Sequence, residues 1–332
     1  MTALTRGIGR QLSLGVAKET TRGTAKTAAT YWLPLDDWSV EEKYKNVTLG
    51  QTYAVLEAGV GQIRHKQWSE GSLKIPITDQ SVPLIFLSLF GTDTVSTHGS
   101  EAAVYNHLIT VGQTIQHQSL TFFKHDPITG QDYSFANGVV HKVEIDYALA
   151  KLCEMTVSIK GQSGVKQSNY SPSQSIENVF VPQYLTFKSA ANIAGLGAAT
   201  AIKLKSAKIT IDAGEMDDDV MGQVAPRDFL NGEFKSSGSL EAIFQNETDF
   251  KANAIANTAQ ALQFDLVNTD VTIGSSSNPE TKIVLAQVYF TEFSAPVKIK
   301  DVYYQTVKFE AVYNVANTQM AQVTCVNTVA SY

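Results

Sequence analysis

Three adjacent carboxylates, Asp217, Asp218 and Asp219, are the densest group of candidate metal ligands in the sequence. Calcium loops interleave their oxygen ligands with other residues, so that the ligands converge on one ion. Three consecutive aspartates lack that interleaving. The favoured interpretation is a solvated loop, or an acidic partner for a basic segment, and the sequence predicts no metal site here.

Histidines, glycine-rich stretches and serines are the other candidates for chemistry. All six histidines lie in the first half, without the spacing of an HExxH helix: His65, His98, His107, His117, His125 and His141. GVGQ at Gly59 and GLGAAT at Gly195 lack the Gly-Lys-Ser/Thr of a phosphate-binding loop, and no GxSxG nucleophile elbow occurs. We therefore predict that the protein is not an enzyme and needs no cofactor.

Composition limits the remaining classes of function. The chain has 332 residues, of which 43% are hydrophobic and 17% are charged, with a net charge of -6. A surface that grips nucleic acid needs clustered Lys and Arg, which this balance disfavours. The longest apolar stretch, VPLIFLSLF, is too short to span a bilayer, and we expect no secretory signal. Cys153 and Cys325 are expected to be reduced and buried.

Alternating apolar and polar residues predict that strands position most side chains. VVHKVEIDY (Val139 to Tyr147), CEMTVSIK (Cys153 to Lys160) and YQTVKFEAVY (Tyr304 to Tyr313) have the period of two typical of half-buried strands. Helical signal is scarce. It is confined to the stretch after Asp79, with Pro83 in a first turn, and to Asn246–Asn257.

The same order of elements occurs twice. Gly71-Ser72-Leu73 and Gly238-Ser239-Leu240 each precede a predicted helix, and MTVSI (Met155 to Ile159) aligns with QTVKF (Gln305 to Phe309). A diverged duplication explains this order better than chance likeness between two β-rich halves. The predicted organisation is an N-terminal arm (1–30), a first domain (31–160), a polar linker (161–180) and a second domain (181–332).

GVAKETTRGTA (Gly15 to Ala25) resembles the opening of the tail tube proteins, or major tail proteins, of long-tailed bacteriophages. The order that follows, with a strand led by EGSL, a short helix and alternating strands, is similar to one tube domain. The resemblance covers nearly the whole chain as two successive tube domains. Many family members instead combine one tube domain with a surface immunoglobulin-like domain.

The resemblance implies a mostly β fold: two tandem β-sandwich or partial-barrel domains, each with one short helix, that complete a large β-barrel on oligomerisation. It implies a structural virion protein of a non-contractile tail, assembled in the host cytoplasm without membrane insertion. Its partners would be further copies of itself and the tape-measure, tail-tip and tail-terminator proteins, with viral DNA passing through the lumen. The alternatives are the inner tube of a contractile tail or secretion system, and a cell-surface β-sandwich adhesin.

Six tube domains form a ring in relatives, so two fused domains predict a trimeric ring with pseudo-sixfold symmetry. Closing the ring would pair the sheet edges that each domain leaves open. Candidate lumen residues on the polar strand faces are Glu154, Thr156, Ser158, Lys308 and Glu310. Candidate inter-ring residues lie in the long polar segments 49–67 and 214–232: Tyr53, Glu57, Arg64, Asp217, Asp218, Asp219 and Arg227.

Overall fold

The structure is a computed structural model that describes residues 7–51, 53–296, 299 and 302–332. The chain is mostly β, with 51% of residues in strands and 7% in helices, which confirms the predicted fold class. Among the described residues, no helix is long and apolar enough to cross a membrane.

Strands dominate both halves of the chain, with short helices between them. The elements of the first half are β1 Ser13–Lys18, β2 Tyr31–Leu33, β3 Asp37–Trp38, β4 Glu41–Leu49, β5 Gly61–Pro76, α1 Val82–Phe90, β6 Gly91–His98, β7 Glu101–Val111, β8 Leu120–His125, β9 Tyr133–Ala148, β10 Glu154–Gly161 and β11 Val165–Lys166. Those of the second half are β12 Leu185–Ala190, α2 Ile193–Leu196, β13 Ala201–Ile202, β14 Leu204–Asp212, β15 Met216–Asp218, β16 Asp228–Leu230, β17 Lys235–Ile243, α3 Lys251–Ile255, β18 Gln260–Val267, β19 Glu280–Ser294, β20 Tyr304–Ala311 and β21 Ala321–Asn327.

One antiparallel sheet crosses both halves, and we call it the long sheet. Its strand order is β4, β5, β10, β9, β14, β17, β20 and β19. The other ends of β9 and β19 belong to two cover sheets. In the first half the cover sheet runs β2, β1, β8, β9 and β11. The other cover sheet runs β12, β18, β19, β21, β7 and β6, and so combines four strands of the second half with two of the first.

Apolar side chains from the long sheet and the cover sheets meet in one core. The Phe264 ring of β18 lies 6.1 Å from that of Tyr147 in β9 and 6.4 Å from that of Phe309 in β20, between ring centroids. All nine residues of α1 are buried. Burying each large apolar side chain stabilises the fold by about 1.5–3 kcal/mol, so the core explains why the short apolar helix sits inside the protein.

The two halves pair their strands in the same register. Leu73 of β5 lies opposite Val157 of β10, and Leu240 of β17 lies opposite Val307 of β20. The pairing register of the long strands β9 and β19 is also interrupted at matching positions. The register of β9 shifts opposite Ser158 and Ile159, and that of β19 shifts opposite Lys308 and Phe309. Such bulges bend a strand, which lets β9 and β19 leave the long sheet and enter a cover sheet.

Glycine is required at the start of both Gly-Ser-Leu stretches by a close approach of the neighbouring backbone. A Cβ atom at Gly71 would lie 2.5 Å from the carbonyl oxygen of Ser39. One at Gly238 would overlap the carbonyl oxygen of Lys208 and lie 2.5 Å from the Phe309 ring. The carbonyl oxygen that approaches Gly71 comes from the connection between β3 and β4, and the one that approaches Gly238 comes from the adjacent strand β14. No larger residue fits at either glycine without a shift of the backbone.

The helices predicted after Asp79 and within Asn246–Asn257 are confirmed as α1 and α3. Pro83 occupies the first turn of α1, where a missing N–H leaves no hydrogen bond broken. The second half also contains α2, four residues long, in addition to the one helix expected there. The side chain of Asn192 caps α2 by accepting a hydrogen bond from the Gly195 N–H.

Part of the predicted N-terminal arm is a paired strand in the structure rather than an extended arm. Residues 1–6 lie outside the described residues, but β1 pairs with β2 on one side and β8 on the other. Leu14 and Val16 are fully buried, so this stretch belongs to the core of the first half. In the predicted linker, β11 pairs with β9, and Phe180 is fully buried.

The largely buried carboxylate of Asp265 on β18 should make stability depend on pH. Burial, reinforced by the charge of Glu280, raises the pKa of Asp265 to about 6. Between about pH 4 and 6 the folded state therefore holds a proton that the unfolded state has lost, and its stability falls as pH rises. Replacing Asp265 with Asn should reduce this fall by about 1–3 kcal/mol.

Urea unfolding at pH 4.5 and pH 7.5 measures the effect as a difference between the wild type and Asp265→Asn. The exposed Glu233→Gln variant is the control, because its carboxylate lies at the surface. An equal pH dependence in the wild type and Asp265→Asn would contradict the prediction.

Candidate assembly surfaces

The predicted lumen residues lie on one face of the long sheet. Directly opposed residues of neighbouring strands share a face, and one row contains both Glu154 and Lys308. That row runs Glu154, Asp146, Lys208, Ser239 and Lys308. The next row contains the other pair, Thr156 and Glu310, and runs Thr156, Glu144, Thr210, Ser237 and Glu310. Ser158 follows on β10, opposite Lys142.

Lysines on this polar face are matched by carboxylates on adjacent strands. Lys74 Nζ lies 2.7 Å from Glu154, and Lys308 Nζ lies 2.6 Å from Glu292. Hydrogen bonds from Lys142 and Lys208 lower the pKa of Glu144 below its ordinary value. Exposed pairs of this kind add little stability. Their main effect is on the electrostatic potential of the surface. A neighbouring carboxylate compensates the charge of each of these lysines, so the face presents no basic stripe to a polyanion.

The two predicted inter-ring segments contact each other within the chain. Lys66 of β5 lies 2.6 Å from carboxylate oxygens of both Asp217 and Asp219, and Lys160 of β10 lies 2.8 Å from Asp217. Both ammonium groups also lie within 6 Å of the Trp68 ring centre, at 5.5 and 5.8 Å. The acidic run is therefore a partner for basic side chains, one of the two roles that its residue pattern favours over a calcium loop.

Electrostatics holds this cluster together. Burial alone would raise the pKa of Asp217, but hydrogen bonds from Lys160 and Lys66 lower it below its ordinary value. Burial alone would lower the pKa of Lys66, but Asp217 and Asp219 raise it. Each group thus stays charged because its partner is present.

The first inter-ring segment is the outer end of a long hairpin rather than one continuous loop. Gly61–Gln67 falls in β5 and pairs with β4, so the connection is shortened to residues 50–60. Tyr53 and Glu57 lie near this tip and are exposed. Arg64 lies on the strand, with its guanidinium 4.7 Å from the Tyr44 ring centre. In the second segment, Arg227 pairs with Asp218 at 2.6 Å.

The hairpin exposes apolar side chains on both of its strands. Tyr44, Val47 and Ile63 are 58%, 52% and 57% exposed. Eight of the nine residues of β4 are exposed. An extended two-stranded ribbon with apolar surface is marginal by itself, which points to an interaction surface.

Sequence reasoning missed a largely buried ion pair between the N-terminal segment and the second half. The guanidinium of Arg22 donates to Asp228 at 2.8 and 2.9 Å, and also to the carbonyl oxygens of His117 and Phe229. Asp228 accepts further hydrogen bonds from Gln116 at 2.7 Å and Asn137 at 3.1 Å. Burial would raise the pKa of Asp228, but Arg22 and Asn137 lower it. Asp228 had no motif or spacing that could have identified it.

Two buried histidines make hydrogen bonds that join separate parts of the fold. His107 bonds Asp93 at 2.9 Å and the Val329 carbonyl at 2.8 Å, and His117 bonds the Leu89 carbonyl at 2.8 Å. Among the described residues, no three His, Cys, Asp or Glu side chains are grouped to hold a metal ion. Cys153 is buried, which raises the pKa of its thiol to about 12, and Cys325 is buried as well.

A sheet with open edges, a polar face of mixed charge and a projecting apolar hairpin are features of a structural subunit that assembles. The chain matches the family model described as phage tail tube protein over residues 9–311, and it therefore belongs to that family. A comparison with curated proteins found no match. The protein is thus a structural tail tube protein of the virion tail, which assembles into a tube with other tail components.

Proposed function

We propose that the chain contains two tube domains and that three chains close one ring of the tail tube, with pseudo-sixfold symmetry. The observation that carries this proposal is the common register of the two halves. Leu73 and Leu240 face Val157 and Val307 across equivalent strands, and a backbone carbonyl oxygen approaches each Gly-Ser-Leu glycine closely. Unrelated β-rich halves would have no reason to share both features.

The correspondence extends to the cover sheets. The β8–β9 register is interrupted between Leu120 and Phe122, and the β18–β19 register between Gln260 and Leu262. Equivalent pairs of elements are β1 and β12, β5 and β17, β8 and β18, β9 and β19, β10 and β20, and β11 and β21. We place the boundary between the units between β11 and β12, and the first unit includes β1.

In the proposed ring, the polar face of the long sheet lines the lumen. Glu154, Thr156, Ser158, Lys308 and Glu310 would then form a wall of mixed charge along the path of the DNA. Such a wall has little attraction for phosphates, so DNA can slide during ejection into the host. The tip residues Tyr53 and Glu57 are proposed to reach the adjacent ring, together with the segment around Asp219.

We further propose a non-contractile tail whose subunits polymerise in the host cytoplasm on a tail-tip complex. A tape-measure protein would set the length and a terminator would close the tube. Membership of the tail tube family, rather than a particular site on the chain, supports this proposal. The inner tube of a contractile tail is the alternative, and a sheath around the virion tail would identify it.

Cryo-electron microscopy of tubes assembled from the purified chain tests the stoichiometry. We expect threefold rings with six similar lobes, and a mass per ring of three chains. Rings of six whole chains would refute the fused-domain arrangement. A chain that remains monomeric at high concentration, with or without tail-tip complex, would refute the assembly function itself.

A further inference from the structure

The long sheet contains a seam where the two halves of one chain meet. Residues 142–148 of β9 pair with residues 206–212 of β14, in an antiparallel ladder of seven residue pairs. At one end of this seam Lys142 lies opposite Asp212. The seam therefore joins two equivalent units by main-chain hydrogen bonds, and it places residues of opposite charge at opposed positions.

The strands equivalent to β9 and β14 are β19 and β4. These two strands form the ends of the long sheet, and each has an open edge there. Within the described residues, β20 is the only strand that pairs with 292–294 of β19, and β5 is the only strand that pairs with β4. Each edge has a row of backbone groups oriented for pairing. The chain thus carries both halves of a second seam, at opposite ends of one sheet.

The register of that second seam follows from the first. Glu292 of β19 is equivalent to Lys142 of β9. Glu292 lies opposite Lys308 and Lys142 lies opposite Ser158, and each lies next to the bulge of its strand. Lys43 of β4 is equivalent to Asp212 of β14. Lys43 lies opposite Trp68 and Asp212 lies opposite Lys235, and Trp68 and Lys235 occupy equivalent positions on β5 and β17. The pairs Leu73–Val157 and Leu240–Val307 fix this equivalence.

We propose that β19 of one copy pairs with β4 of the next copy, with Glu292 directly opposite Lys43. This inference rests on the proposed ring of fused tube domains and adds the register of its closure. The charges are complementary, as at Lys142 and Asp212, but their signs are exchanged between the strands. Glu292 also pairs with Lys308 of its own chain, so the new contact extends an existing ion pair.

The same seam explains the exposed hairpin. Beyond β14, residues 213–232 pack on the first half, where Asn231 N–H donates to the Ile115 carbonyl at 2.8 Å and Asp217 pairs with Lys66. The hairpin of β4 and β5 is the equivalent segment of the first unit. It would pack in the same way on the second half of the next copy and cover Tyr44, Val47 and Ile63.

Cysteine cross-linking of assembled tubes tests the register. Opposed residues of an antiparallel pair have Cα atoms about 4.5–5.5 Å apart, within the range that a disulfide spans. The double variant Lys43→Cys, Glu292→Cys should therefore form covalent dimers and trimers on mild oxidation. Lys45→Cys, Glu292→Cys is the matched control, displaced by two residues along β4. Cys153 and Cys325 are buried and give no background.

Cross-linking of the Lys43 pair at least tenfold above the displaced control is the expected result. Threefold tubes that do not cross-link there, or that cross-link better at Lys45, would overturn the register and leave the proposed ring intact. Failure of the wild type to form threefold rings would instead refute the proposed ring.

Exchanging the charges of Lys43 and Glu292 tests the same register if the cysteine variants do not assemble. Lys43→Glu and Glu292→Lys should each slow tube growth, measured by light scattering, by about tenfold. The combined variant should recover most of the rate, because it restores opposite charges across the seam. A combined variant no faster than either single variant would contradict the register.

Discussion

Replacing Arg22 with Ala should lower the free energy of unfolding by about 3–5 kcal/mol. The Arg22 and Asp228 side chains are only 19% and 9% exposed. Removing the guanidinium leaves the Asp228 carboxylate buried without its cation, and two carbonyl oxygens lose a donor. Arg22→Lys should recover only part of the loss, since a single ammonium group cannot reproduce the planar set of donors.

Urea unfolding of the unassembled chain measures this loss. Arg64→Ala is the matched control, because Arg64 lies on the exposed hairpin over the Tyr44 ring. Its effect should stay within about 0.5 kcal/mol, as is usual for surface substitutions. A loss below about 1 kcal/mol for Arg22→Ala, or equal losses for both variants, would show that the buried pair does not hold the N-terminal segment to the second half.

Replacing Gly238 with Ala should destabilise the protein by about 3 kcal/mol, at the upper end of the usual effect of overpacking. The added methyl group would overlap the Lys208 carbonyl oxygen, which belongs to the neighbouring strand and cannot rotate away. The ladder between β14 and β17 would have to open locally, next to the Phe309 ring.

Thermal and urea unfolding check this prediction, with Gly197→Ala as control. Gly197 follows α2 and has a right-handed helical backbone, and a Cβ atom added there would meet no other atom within 4 Å. Its replacement should be neutral or slightly stabilising. If Gly238→Ala unfolds like the wild type, the close approach of the two strands is not a constraint on the sequence.

Local patterns were sufficient to predict several elements. The alternation in CEMTVSIK and YQTVKFEAVY placed β10 and β20 and separated their polar and apolar faces, because side chains on a strand alternate in direction. The run VPLIFLSLF after Ser81, apolar except for Ser88 and with Pro83 near its start, predicts α1. The repeated Gly-Ser-Leu lies in β5 and β17, which pair with β10 and β20 in the same register.

Pairing between distant residues was beyond these patterns. β1, SLGVAK, has small residues and no strong alternation, and it is buried because β2 and β8 flank it. The run from Gly15 to Ala25 resembles a family opening, but its physical role depends on contacts with residues that are distant in sequence. There Glu19 accepts hydrogen bonds from Ser119, Thr121 and Asn137, and Arg22 binds Asp228.

Residue patterns alone were enough to specify a mostly β chain with mixed charge on its strand faces, and they predict two similar halves. The folded arrangement was needed to establish that one sheet runs through both halves, that Asp217 pairs with Lys66 and Lys160, and which sheet edges remain open. The difference is one of range. Periodicity and turn chemistry act between neighbours along the chain, whereas strand partners and buried ion pairs are chosen by packing between residues that are far apart in sequence.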